Sequence, residues 1–347
     1  MGQTTQGLTP GSHSNLATGK NKGATTGLSD IASYLEHLRS ERSYSSQTLK
    51  AYSDDLNGLV RALAGMKLSP AEVKEADVRH LVAVTAKAKI SPRTQARRLS
   101  CWRGYFDWLA RLGQLSTNPV RAVKAPRAGK RLPKSLAPDQ AMSLANHAPE
   151  AVFESMRDKA MVELLYSSGV RVSELHSLDR QFASQAGPDK YQSSSWLDSE
   201  EAQITVLGKG SKVRTVPVGR AALEAIANWL AFRDGGENAP ALKALPAKDQ
   251  HALFCTHVGR RLSVRSIQSR VARLGLMQGI NSRVHPHVLR HSFASHVLQS
   301  SGDLRAVQEM LGHSNISSTQ IYTSLDFQRL AAVYDAAHPR AKKPQES

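Results

Sequence analysis

The chain has 347 residues, enough for two domains with separate cores, and sets 46 Lys and Arg against 29 Asp and Glu, a formal charge of +17. That balance lies outside the range of an ordinary soluble enzyme and predicts a polyanionic partner, either nucleic acid or an anionic membrane face. Cys101 and Cys255 form neither a metal motif nor a disulfide framework, as expected for a reducing cytosol, and no apolar run is long enough to span a bilayer.

Residues 1–27 are rich in Gly, Thr, Ser and Asn, contain no signal-like apolar region, and read as a disordered tail. Residues 28–115 predict four helices. Ser29 caps the first, with Ile31, Tyr34, Leu35 and Leu38 on one stripe. Ser45-Ser46 opens the second, which carries Leu49, Tyr52, Leu56, Leu59 and Leu63 up to Gly65. The third covers about 75–89. The fourth starts with Ser91 at N-cap and Pro92 at N1, buries Leu99, Trp102, Phe106 and Leu109, and stops at Gly113.

Between Lys87 and Lys134 thirteen Lys or Arg residues face one acid, Asp107. A solvated helix face mixes signs, and this one does not. Arg93, Arg97 and Arg98 lie on the fourth helix, and Lys124, Arg127, Lys130 and Arg131 continue the run through a Pro-broken linker at 116–135. Such a run fits the phosphate rail of a duplex. A membrane surface fits less well, because the linker lacks bulky apolar anchors.

A second domain is expected over 136–325. The segment 157–168 is helical in period, Gly169 breaks it, and a helix carrying Arg171 resumes. Residues 204–218 alternate about a Gly-Lys-Gly-Ser turn with Lys209 at the tip, a β-hairpin pattern. This turn is not a P-loop, since the first glycine and the final Ser/Thr of that motif are missing. Helices follow at 220–234, 263–274, 287–300, 303–311 and 317–322. Residues 180–203 contain turn formers and an acidic group, Asp198, Glu200 and Glu201, and read as a surface loop. From 251 to 302 there are seven arginines and no acid, a second basic surface.

The densest chemistry lies from His285 to Tyr322. His287 and His291 are spaced i,i+4, and Arg290 is three residues from His287. A zinc pair would use that spacing, but Val288 stands where a hydrolytic motif has Glu, and no carboxylate occurs between Asp249 and Asp303. Satisfied core histidines are the plainer alternative. The pattern otherwise points to an anion site.

Taken together, GVRVSEL around Arg171, LGKGSK around Lys209, HPHVLRH with His287 and Arg290, LGHS with His313 and TQIYT with Tyr322 resemble the tyrosine recombinase (phage integrase) family. The resemblance spans about residues 28–343 and tightens toward the Xer branch at the chain's end. It implies a mainly α, two-domain fold: an N-terminal four-helix SAM-like core-binding domain and an α+β catalytic domain with a small β-hairpin or sheet. It implies that Tyr322 attacks a DNA phosphodiester to give a 3′-phosphotyrosyl link. Arg171 and Arg290 would then clamp the phosphate, Lys209 would act as general acid, His287 would assist proton transfer and His313 would hydrogen-bond the phosphate. No metal or other cofactor is expected. The implied partners are double-stranded DNA with a dif-like site, a XerD-like recombinase in a heterotetramer, and an FtsK-like DNA translocase. The implied setting is cytoplasmic and nucleoid-associated, in resolving chromosome or plasmid dimers at cell division. Residues 326–347 are expected to form a helix and tail docked on a neighbouring protomer. An integrase of a phage or mobile element would share the chemistry. A type IB topoisomerase would relax supercoils without paired sites, and a non-enzymatic DNA binder would not need Tyr322.

Overall fold

The computed structural model describes residues 22–341 except 43, 89, 127–135, 148–149, 187–189, 209–211, 236–244, 281–283 and 313–323, with side chains of 22–29 and 324–327 also excepted. The chain divides into two compact units, Met1–Arg131 and Leu132–Ser347.

The first unit contains α1 (Lys22–Ser40), α2 (Ser46–Gly65), a 3₁₀ turn at Pro70–Glu72, α3 (Glu75–Lys87) and α4 (Pro92–Arg111). α1 starts at Lys22, not at a Ser29 cap, so residues 22–27 belong to a helix rather than to the expected tail. The other starts follow their local chemistry. The Ser45 hydroxyl accepts from the Thr48 amide at 3.3 Å, and Ser91 accepts from the Thr94 amide at 3.2 Å with Pro92 next in line. Apolar residues at three- and four-residue spacing then meet in one core: Leu56, Leu59 and Leu63 of α2 with Leu99, Phe106 and Leu109 of α4. Burying each contributes about 1.5–3 kcal/mol. Val120 and Val123 join this core, so the expected linker begins inside the unit. Asn118 fixes it there, donating to the Arg103 carbonyl at 2.9 Å and accepting from the Val120 amide at 2.8 Å.

The second unit is built on α6 (Phe153–Ser168), which is buried on nearly every side from Ala160 to Ser168. Around it lie α5 (Pro138–Asn146), α7 (Val172–Ser177), α8 (Arg220–Asp234), α10 (Val264–Met277) and α11 (Pro286–Ser301), with the short α9 (Ala247–Gln250). Buried charges on α6 are paired, as burial requires. Arg157 meets Asp158 at 2.9 Å, and Arg270 donates to the other oxygen of Asp158. α6 ends at Gly169, whose φ of 58° is left-handed and whose Cβ, if present, would lie 2.3 Å from the Phe293 ring.

Six short strands follow α7: β1 (Leu178–Asp179), β2 (Ser184–Gln185), β3 (Tyr191–Gln192), β4 (Ser195–Asp198), β5 (Gln203–Leu207) and β6 (Val213–Pro217). A four-stranded sheet runs β1-β4-β5-β6, with β1 parallel to β4 and the other pairs antiparallel; β2 and β3 form a separate hairpin. This corrects the surface-loop expectation for 180–203. That segment supplies β4 to the sheet and buries Ser193, Ser195 and Leu197. The fully buried Asp179 organises it, accepting from the Tyr191 hydroxyl at 2.7 Å and from Ser193 and Arg261. Turn-forming residues hid these short strands, and a charge donated from outside the segment holds them.

α12 (Leu304–Leu311) and α13 (Ser324–Ala337) complete the unit. In this single chain α13 closes its own core, with Leu330, Tyr334 and Ala337 packed against Phe293, Val297 and Met310. The Tyr334 hydroxyl meets Ser167 of α6 at 2.7 Å, and Arg340 pairs with Glu163 of α6. The helix expected at 317–322 lies outside the described residues.

Candidate active site

Three of the six expected catalytic residues, Arg171, His287 and Arg290, are described; Lys209, His313 and Tyr322 lie outside the described residues. Arg171 is the N-cap of α7, placed by the left-handed turn at Gly169. Arg290 sits on α11, one helical turn beyond His287. Far apart in sequence, with α7, β1 to β6 and α8 to α10 between them, the arginines converge on the C-terminal end of α12.

That convergence is regular. The last carbonyls of a helix have no partner within it and carry the negative end of its dipole. Here three successive carbonyls are each taken by a guanidinium from a different element. Arg214 of β6 donates through Nε to Met310 at 3.0 Å, Arg290 donates to Leu311, and Arg171 donates to Gly312 at 3.1 Å. Gly312 caps α12 with φ 62°, and a Cβ there would come 3.0 Å from Arg214 Cδ. His313 is the next residue, so the arginines fix the point from which its segment departs.

Glu174 lies beneath all three, 2% exposed. Both its oxygens accept from Arg214, at 2.7 and 2.8 Å; they also accept from the Arg171 guanidinium at 2.8 Å and the Arg171 amide at 2.7 Å. Arg290 Nη1 stands 3.9 Å from it and donates to the Gly169 carbonyl at 2.6 Å. Burial would raise the Glu174 pKa, but the bonds and charge of Arg214, followed by those of Arg171, outweigh it and hold the carboxyl at about 2. Glu174 is therefore a carboxylate at any working pH. Burial, then the like charge of Arg171, lowers Arg290 to about 9, which still leaves it a cation at neutral pH.

The cluster is buried at its base and open above. Arg214 and Glu174 are nearly inaccessible, the Arg171 side chain is 28% exposed, and His287 and His291 lie on the exposed face of α11. Desolvation, then the neighbouring His285, Arg290, His291 and Arg171, lowers the pKa of His287, so its imidazole is neutral near pH 7. Three arginines against one carboxylate leave a local excess of positive charge aimed at solvent. Chemically this is a preorganised anion clamp, with forked donors suited to phosphate. A cleft of about 490 Å³ lined by Leu197, Leu223, Leu230 and Arg220 contains none of these residues.

Glu174 and Arg214 were not anticipated. A signal existed for each. Glu174 stands at the capping-box position three residues after Arg171, and Arg214 occupies an inward position of the alternating strand VRTVP, where a charge requires a buried partner.

Of the expected DNA contacts, Arg93 and Lys124 are exposed and make no ion pair with a described residue. Arg97 pairs with the buried Asp55 of α2 and donates to the Ala51 carbonyl at 3.1 Å, and Arg98 Nε lies 3.5 Å from Asp55. These two arginines are partly committed within the unit. Arg127, Lys130 and Arg131 lie outside the described residues.

Residues 134–329 match the phage integrase family, and residues 31–113 match its N-terminal SAM-like domain. The chain is 49% identical over 324 residues to the tyrosine recombinase XerC of Ralstonia pickettii, covering 92% of this chain and 97% of that one. It is 43% identical over 318 residues to the XerC of Salmonella typhi, covering 90% and 97%. In fold it resembles the XerH site-specific recombinase bound to a palindromic difH substrate, with TM-score 0.60, 19% identity, and coverage of 91% and 89%. It likewise resembles a lambda integrase dimer bound to a COC′ core site, with TM-score 0.60, 16% identity, and coverage of 85% and 99%.

Proposed function

The chain belongs to the phage integrase family, as a tyrosine-type site-specific DNA recombinase of the XerC type, and from that membership we propose a division of labour among its residues. Tyr322 Oη attacks the scissile phosphorus while the 5′-oxygen departs, leaving a 3′-phosphotyrosyl link. Arg171 and Arg290 hold the non-bridging oxygens and stabilise the charge that builds there. Lys209 donates the proton that the leaving 5′-oxygen takes up, His287 accepts the tyrosine proton and His313 hydrogen-bonds the phosphate. A tyrosine with a pKa of about 10 needs such help at neutral pH. The phosphodiester energy is kept in the covalent link, so resealing needs neither ATP nor metal.

The observation that carries this reading is the convergence of Arg171 and Arg290 on adjacent carbonyls, with His313 next in the chain and Tyr322 beyond it. The exposed cations Arg93 and Lys124, with Arg127, Lys130 and Arg131, track the backbone of the duplex; Arg97 and Arg98 do so less strongly while Asp55 holds them. The chain acts with a XerD-like recombinase, two of each on paired dif-like sites, through a Holliday junction. The outcome is resolution of chromosome or plasmid dimers in the cytoplasm at cell division, with an FtsK-like translocase as activator. In that ring α13 exchanges its present seat for the equivalent one on a neighbour.

The test is covalent trapping on a nicked duplex carrying the host's dif-like site, with the XerD-like partner present. A denaturing gel should show a protein–DNA adduct with wild type and none with Tyr322→Phe, and the released strand should carry a free 5′-hydroxyl. Binding by both proteins with no adduct from either would reject the assignment.

A further inference from the structure

Arg214 is the most buried of the three guanidinium groups at the end of α12, with a side chain 5% exposed, so it cannot be a phosphate ligand without moving. It nevertheless joins α7, through Glu174, to the C-terminal end of α12. Its two terminal nitrogens take both oxygens of Glu174, its Nε takes the Met310 carbonyl, and its stem fills the space that a Cβ on Gly312 would need. It also stands on β6, two residues after the turn segment that carries Lys209, where Gly208 donates to the Lys212 carbonyl at 2.7 Å.

The charge arrangement gives this position a specific consequence. A carboxylate beside two phosphate-binding arginines competes with the phosphate for them. Glu174 already accepts from Arg171 at 2.8 Å and stands 3.9 Å from Arg290. A bidentate guanidinium is the strongest partner a carboxylate can have. Occupied on both oxygens by Arg214, Glu174 holds Arg171 by one side-chain bond and does not capture Arg290.

We infer that Arg214 is a positioning residue for strand cleavage: it saturates Glu174 so that Arg171 and Arg290 stay available to the phosphate, and it ties the Lys209 hairpin to the end of α12 from which His313 departs. The inference rests on the strand-cleavage reading above. Its distinctive consequence is suppression. Removing Arg214 frees Glu174 to compete for the two clamping arginines, and neutralising Glu174 removes the competitor.

The experiment measures single-turnover cleavage of the nicked dif-like duplex, with the XerD-like partner and saturating protein, for R214K, R214Q, E174Q and R214Q/E174Q. Melting and duplex binding are recorded for each. R214Q should cleave roughly 100-fold more slowly per bound molecule, the scale of losing one preorganised donor. R214K keeps the charge but not the fork, and should fall between R214Q and wild type. R214Q/E174Q should be slowed relative to E174Q by far less than the R214Q factor, because only the tie is then missing. Should R214Q fail to fold, R214K and the double variant carry the comparison. Wild-type cleavage by R214K, or a double variant slowed by the full R214Q factor relative to E174Q, would overturn the proposal. Amide exchange provides an arm that needs no catalysis: R214K should speed exchange at residues 308–316 and 207–213. If wild type binds DNA yet forms no adduct, the cleavage reading fails, and unchanged exchange in R214K would then overturn the tie as well.

Discussion

Asp55 in the first unit and Glu174 in the second are both buried beneath a pair of arginines, and the two behave oppositely. Asp55 on α2 sits under Arg97 and Arg98, and its pKa is raised, because burial outweighs the two charges. Glu174 on α7 sits under Arg171 and Arg214, and its pKa is held at about 2. The difference lies in the donors. Arg97 is 41% exposed, so solvent screens its charge, and Arg98 Nε lies beyond hydrogen-bond distance. Glu174 instead receives a buried fork, a second guanidinium and a backbone amide. Loose pairing leaves Arg97 able to exchange its aspartate for another anion, as the proposed DNA contact requires. Tight pairing suits a site whose geometry must exist before the phosphate arrives.

Breaking the tight cluster should have the largest effect. Arg290→Ala should lower adduct formation by about 1000-fold with little change in duplex affinity, measured as single-turnover rate against binding. Equal losses in both would make Arg290 a general DNA anchor. Next comes Glu174→Ala, which leaves three cations facing one another and should cost about 3–5 kcal/mol in urea unfolding. Asp55→Asn should cost less than Glu174→Ala, because it keeps the side chain's volume and Arg97 is 41% exposed to water. It should also tighten duplex binding and steepen its salt dependence by about one unit in log–log slope as Arg97 and Arg98 are released. An Asp55→Asn change as damaging as Glu174→Ala would erase the contrast between the units.

Smaller effects follow from titration. His287 has a pKa lowered from its ordinary 6.5, and the neutral imidazole is the form that accepts a proton. Cleavage should therefore hold as pH falls to 6.5 and decline only below it. His285→Asn removes a neighbouring positive charge and should move that decline to higher pH. A limb that does not move would remove His287 from the proton path. His338, buried among Tyr166, Phe293 and Tyr334, is lowered to about 3, so between about 3 and 6.5 the unfolded chain binds the proton and the folded chain does not. Stability should fall with pH across that window, and His338→Leu should flatten the melting profile there.

Local chemistry made much of this legible from sequence. The Ser45 and Ser91 caps, the 204–218 hairpin and the left-handed stop at Gly169 all depend on a few adjacent residues. Arg171, His287 and Arg290 could be named because spacing and motif mark them. Elements whose partners are remote were less legible. Residues 180–203 looked like a loop because Arg261, which pairs with the Asp179 that organises them, is far along the chain. The residues that seat α13 in this single chain, Phe293 and Val297 of α11 and Ser167 of α6, are likewise remote from it in sequence.

What the sequence by itself determined was charge, helix period, caps and the order of the reactive residues, since these are properties of neighbours along the chain. Only the tertiary structure decided that three arginines from three elements would end on three consecutive carbonyls, with Glu174 shared beneath them. Whether a buried carboxylate keeps its charge depends on the direction and burial of donors brought from elsewhere, and no local pattern carries that information.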